Sequence, residues 1–152
     1  MYDNVLNSLL SGVYVITVKD QNRINGMTAI WISQVSLDPP LIGAGVSPMR
    51  LCHSMIMNSK RFTVNVLTEG QEQLARDFGF KTGHSEDKFE GIDYSISSNG
   101  CPVLPGIHSY FNCKLVHSYN IGDHSLLIAE VEEANIVNES KTKLIFDPDD
   151  FF

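Results

Sequence analysis

The sequence predicts a mainly β fold, closed as a barrel, with a few peripheral helices. Short runs rich in β-branched and aromatic residues recur along the chain, with turn residues between them. Helical patterning is confined to a few short segments. In the C-terminal half, Gly122-Asp123 separates two long strand-like runs, which is a hairpin signal. Closing such a sheet on itself removes exposed edges. At 152 residues and 43% hydrophobic, the chain suits one domain over 1–152, large enough to bury a core without disulfide or metal staples.

Taken in order, residues 2–10 predict a short helix with Val5, Leu6, Leu9 and Leu10 on one side, stopped by Gly12. Residues 13–18 are β-branched and predict a strand. Asp20, Gln21 and Asn22 make a polar turn. Residues 24–35 predict one long second strand with a bend or bulge at Gly26. Leu37-Asp38-Pro39-Pro40 ends it, because proline cannot donate to a ladder. Residues 41–46 form a short apolar strand. Residues 49–58 predict a helix with Ser47 as its N-cap. Residues 62–67 predict a strand, and 71–78 a helix with Leu74, Ala75 and Phe78 on its apolar face. Residues 79–91 form a polar loop of the kind that carries function on a rigid scaffold. Further strands are predicted at 92–96, 110–119, 125–137 and 144–146.

The net charge of −7 argues against nonspecific binding to nucleic acid or anionic membrane. Cys52, Cys101 and Cys113 form no CxxC pair, so no zinc or rubredoxin-type iron knuckle is encoded, and no metal is expected. The opening residues lack a basic stretch ahead of their apolar ones, and no run has transmembrane length. A soluble, cytoplasmic protein is the expectation. There is no GxGxxG, GxSxG or phosphate-loop motif.

The most informative stretch is Gly26-Met27-Thr28-Ala29-Ile30-Trp31-Ile32-Ser33-Gln34-Val35-Ser36-Leu37-Asp38-Pro39-Pro40-Leu41. Small residues let a planar ligand approach the backbone closely. Free main-chain groups can then bind its polar edge, and the Thr28 and Ser36 hydroxyls can meet ribityl or phosphate oxygens. On composition alone an ordinary polar edge strand is the favoured reading. Ser47-Pro48-Met49-Arg50-Leu51-Cys52-His53 opens a helix, where free N–H groups and Arg50 suit a phosphate. Trp31, the sole tryptophan, suits either a ring-stacking role or a core or dimer-interface role.

These segments resemble the flavin reductase family, the FMN-binding split β-barrels. The Gly-Met-Thr-Ala run and the later Ser-Leu-Asp-Pro-Pro-Leu carry the resemblance. So do the helix ahead of Phe62-Thr63-Val64-Asn65-Val66-Leu67, then Asp87-Lys88-Phe89, Pro102-Val103-Leu104 and Gly122-Asp123-His124, all in the family's order. The resemblance implies an FMN site formed by Thr28, Ala29, Ile30, Trp31, Gln34, Val35, Ser36, Ser47, Arg50, Cys52 and His53, with Lys88 reaching from the long loop. Many relatives carry Thr where this chain has Cys52. The resemblance places His124 near the open face of the flavin, where a nicotinamide docks.

Also implied is a homodimer whose partner chains complete each pocket. NADH or NADPH would deliver hydride to flavin N5, and electrons would pass on to free flavin, an iron complex or a separate acceptor protein. A flavin electron carrier reduced by a partner protein is an alternative. A split barrel holding haem or a deazaflavin is another.

Overall fold

The computed structural model describes residues 2–84 and 86–151. A hairpin, β1 (Tyr14–Asp20) and β2 (Arg23–Ala29), leads to β3 (Ile32–Ser36) and β4 (Leu41–Val46). Helix α2 (Leu51–Ser59) follows; α1 (Asp3–Leu6) is a single turn near the start. Next come β5 (Arg61–Val66), helix α3 (Glu72–Phe80), and the short strands β6 (Ser95–Ile96) and β7 (Pro102–Val103). The long hairpin β8 (Ser109–Ile121) and β9 (His124–Ile136) completes the sheet, with Gly122 at φ 48° in its turn. Among the described residues no helix is long and apolar enough to cross a membrane.

The main sheet has the order β2-β1-β5-β8-β9-β4-β3, and every pairing in it is antiparallel. The single strand expected over 24–35 is two strands, broken at Ile30 and Trp31, and its halves lie at opposite ends of this order. Three residues of extended chain span at most about 11 Å, so the two ends of the sheet must lie close together. Among the described residues no ladder joins β2 to β3. The fully closed barrel expected from strand count is therefore a mainly β barrel left open at this seam.

The pattern of β1 explains why it reads as a continuous apolar run. Ile16 and Val18 enter one core with Val46, Met55, Ile56, Phe62 and Leu127. Val13 and Val15 enter a second core with Leu67, Ala75, Phe78, Phe89 and Ile107. Both faces are buried, so alternation is lost. Helix α2 plugs the first core with Cys52, Met55 and Ile56, which share one face. Helix α3 covers the second with Ala75 and Phe78.

Several local expectations are corrected. Helix α2 starts at Leu51 with Arg50 as an extended N-cap residue that makes no side-chain cap. Ser47 instead forms the preceding turn: its hydroxyl accepts from Met49 N–H (3.3 Å) and its carbonyl from Arg50 N–H (3.1 Å). Gly26 is not a bulge, since β1 and β2 pair in unbroken register through Thr17 and Gly26. A Cβ there would meet the Phe78 ring at 2.9 Å, so the missing side chain is the seat for that ring. The helix over 2–10 shrinks to one turn, with Val5, Leu6, Leu9 and Leu10 exposed. Residues 144–146 make isolated bridges, Gly12 with Ile145 and Thr68 with Lys143, rather than a strand. Of residues 92–96 only Ser95 and Ile96 pair, and they pair with β7.

Candidate functional site

The seam between β2 and β3 opens onto a cavity of about 220 Å³. Residues 27–31, Gly45, Ser47, Arg50 and His124 line it. Thus Thr28, Ala29, Ile30, Trp31, Ser47, Arg50 and His124, far apart in sequence, meet around one space. Gly45 lies against Trp31, where an added Cβ would stand 3.4 Å from the indole. Trp31 is 58% exposed at the rim and packs against His124, with ring centroids 4.8 Å apart and planes at 58°.

His124 leads strand β9, and its Nδ1 lies 2.7 Å from the Asp123 carboxylate. A carboxylate only accepts, so Nδ1 carries the proton and Nε2 is left for a ligand or solvent. The hydrogen bond and the charge of His124 hold the Asp123 carboxyl below the usual carboxylate range.

Arg50 also lines a second cavity of about 120 Å³, with Asn25, Lys81, His84 and Lys88 among its walls. Its guanidinium donates to Gly79 O (2.8 Å) and Phe78 O (3.1 Å), at the C-terminal end of α3. Cations are stabilised there by the helix dipole and the unpaired carbonyls. Lys88, which by default would be a solvated surface lysine, is 6% exposed. Its Nζ donates to Gly26 O (2.7 Å) and Phe78 O (3.2 Å). Among the described residues no carboxylate lies within 4.0 Å of Nζ. Burial and the neighbouring Arg50 charge pull the Lys88 ammonium down to about 8.

The other expected residues fall elsewhere. The Thr28 hydroxyl spends its proton on Ala75 O (2.6 Å), tying β2 to α3 and leaving only lone pairs for a ligand. Cys52 is buried in the first core, and burial pushes its thiol up to about 12. His53 Nε2 lies 2.8 Å from the Ser125 hydroxyl, and burial lowers its pKa. Val35 and Ser36 lie on edge strand β3, outside both cavities. Gln34 is on the same strand and lines a larger groove of about 660 Å³ with Ile32, Phe111, Val131 and Ile136. Sequence reasoning missed the carbonyls of Gly26, Phe78 and Gly79, because main-chain acceptors leave no mark on residue type. It also missed Lys81, since a lysine after a helix looks solvated.

The donor set suits a phosphorylated planar ligand. Among the described residues, Arg50 and Lys88 have main-chain carbonyls and no carboxylate as hydrogen-bond partners, and they lie beside a cleft rimmed by an indole and an imidazole. Residues 6–152 match the family described as "Flavin reductase like domain". This chain belongs to that family. Its sequence is 34% identical over 139 residues to the high molecular weight rubredoxin of Moorella thermoacetica, covering 90% of this chain and 61% of that protein. It therefore spans less than two thirds of that relative's length. It is 30% identical over 133 residues to the FMN reductase (NADH) SmoA of Agrobacterium fabrum, covering 88% of this chain and 74% of that protein. The solved structure of the NADH:FAD oxidoreductase SgcE6 of Streptomyces globisporus superposes with a TM-score of 0.89 at 29% identity. That match covers 95% of this chain and 86% of the other. The split β-barrel with peripheral helices is thus the flavin reductase-like fold.

Proposed function

We propose that this chain is an NAD(P)H-dependent flavin reductase that uses FMN. The observation that carries the reading is that Arg50 lines both cavities, one with Lys88 and the other with Trp31 and His124. Arg50 and Lys88 would hold the phosphate, helped by the first N–H groups of α2 at Leu51 and Cys52. The main chain of residues 28–31 would meet the polar edge of the ring. Bound flavin supplies the hydride-accepting chemistry. His124, with its tautomer fixed by Asp123, would orient the nicotinamide from the open side. Its role is positional, which is the term that protein groups add in cofactor reactions. The similarity to an FMN reductase (NADH) and to an NADH:FAD oxidoreductase supports the same assignment.

The pocket is completed, in this reading, by a second copy of the chain. The groove beside β3 is largely apolar, and Gln34, Val35 and Ser36 lie off the cavity of their own chain. A two-fold pairing across that groove would carry them toward the partner's site.

A second reading, a flavin electron carrier reduced by another protein, draws on the similarity to the high molecular weight rubredoxin. Anaerobic addition of NADH or NADPH to the FMN-loaded protein separates the two. Rapid bleaching of the flavin spectrum is the expected result for the reductase. A spectrum that persists while a protein donor reduces it would assign the carrier role. A protein that takes up no added FMN would overturn both.

A further inference from the structure

We infer that Lys88 is the titrating member of a two-cation phosphate seat: a flavin that carries a phosphate binds with uptake of a proton at Lys88 Nζ and loses affinity in mildly alkaline solution, while a flavin without phosphate does not. The inference rests on the flavin reading above and adds a charge-based, pH-dependent selectivity to it.

The geometry makes the case. Arg50 and Lys88 donate to the same oxygen, that of Phe78, so two cations share one acceptor. Both line the 120 Å³ cavity. Arg50 keeps its charge at any pH the fold survives, whereas lysine yields its proton when buried beside another cation. The groups facing Lys88 come from each neighbouring element. From the start of α2 come Arg50 and Cys52, whose thiol burial keeps neutral. Lys81 follows α3, and Arg23 comes from β2. His84, Glu86 and Asp87 belong to Lys88's own loop. Glu86 opposes the shift but does not cancel it, and Lys88 stands at about 8.

A phosphate dianion in this cavity supplies the missing counter-charge. The proton comes from solvent, and Lys88 is recharged toward its ordinary value of 10.5. A group whose pKa rises on binding contributes its full affinity below the free-state pKa, and that contribution fades as pH climbs above it. With these two values the FMN Kd should rise about 30-fold between pH 7 and pH 9.5. The flavin ring N–H also titrates in alkali, but it is common to FMN and riboflavin, so riboflavin serves as the internal control.

The test is a fluorescence titration of the intact apoprotein with FMN and with riboflavin from pH 7 to pH 9.5. Calorimetry at pH 9 in two buffers of different ionisation enthalpy accompanies it. The expected result is a steep loss of FMN affinity, a nearly flat riboflavin series, and uptake of close to one proton with FMN only. Lys88→Arg, which keeps charge and donors but does not titrate, should flatten the FMN series. A flat FMN series in the unaltered protein, or a riboflavin series that follows it, overturns the inference and leaves the flavin reading standing. Failure to bind either flavin at any pH overturns both.

Discussion

Arg50 performs two tasks with one guanidinium. It fastens the start of α2 to the end of α3 through Phe78 O and Gly79 O, and it lines both cavities. Arg50→Ala should weaken FMN binding by about 1.5–3 kcal/mol, the usual cost of losing a charge-assisted hydrogen bond. Arg50→Lys should recover only part of this, because an ammonium lacks the planar, pre-organised donor fork of a guanidinium. Fluorescence titration measures both, and an unchanged Kd in Arg50→Ala would remove it from the site. His124 has a separable task. It stands against Trp31 at the rim of the cavity that Arg50 also lines, and its Nδ1 is held by Asp123. His124→Ala should slow anaerobic reduction by NADH at least tenfold while FMN affinity stays within about twofold, since a positional loss of this kind acts on orientation. Equal losses in both stopped-flow reduction and FMN titration would make its role structural.

Between β2 and α3 the contact is built on an absence. Phe78, fully buried, lies over Gly26, and Thr28 hydrogen-bonds Ala75 O two residues further along the strand. This docking sets where the carbonyls of Phe78 and Gly79 end up, and so where Arg50 and Lys88 are held. Gly26→Ala would press a methyl group into the ring from 2.9 Å. Overpacking of this kind costs about 1–3 kcal/mol. Thermal unfolding should show the lowered Tm, and FMN titration a weakened Kd, because the helix end is displaced with the ring. A variant with native Tm and Kd would show that the ring slides aside. The sequence could not announce this arrangement: glycine within a strand signals a bulge or a close approach without telling which. Strands β1, β4 and β5 and the β8–β9 hairpin were legible, because β-branched runs and a Gly-Asp turn are local signals. The break at Ile30-Trp31 was not, because apolar residues continue straight through it and only pairing with different partners divides β2 from β3.

At the scale of the whole molecule, local patterning reached the residues around β2 and Arg50 but not the burial of Lys88 beside them. Lys88 gave no sign that the fold would bury it, because burial of a loop lysine depends on tertiary packing by α3 and β2. The same limit applies to β3. Gln34, Val35 and Ser36 are part of a stretch that resembles a flavin site, yet in one chain Gln34 lines the 660 Å³ groove, and none of the three lines the cavity of Arg50. Ile136 is 62% exposed at that groove, and Phe111 and Val131 line it. The two-fold pairing proposed above would bury the groove and bring β3 to the partner's cavity. Sedimentation equilibrium should therefore find a dimer at micromolar concentration. Ile136→Glu places a charge in the groove and should shift the protein to monomer, because an unpaired charge is poorly tolerated in a buried interface. If β3 completes the partner's pocket, this distant substitution should also weaken FMN binding at concentrations where the variant is monomeric. A monomeric variant with unaltered FMN affinity would confine the site to one chain and make the dimer incidental to it.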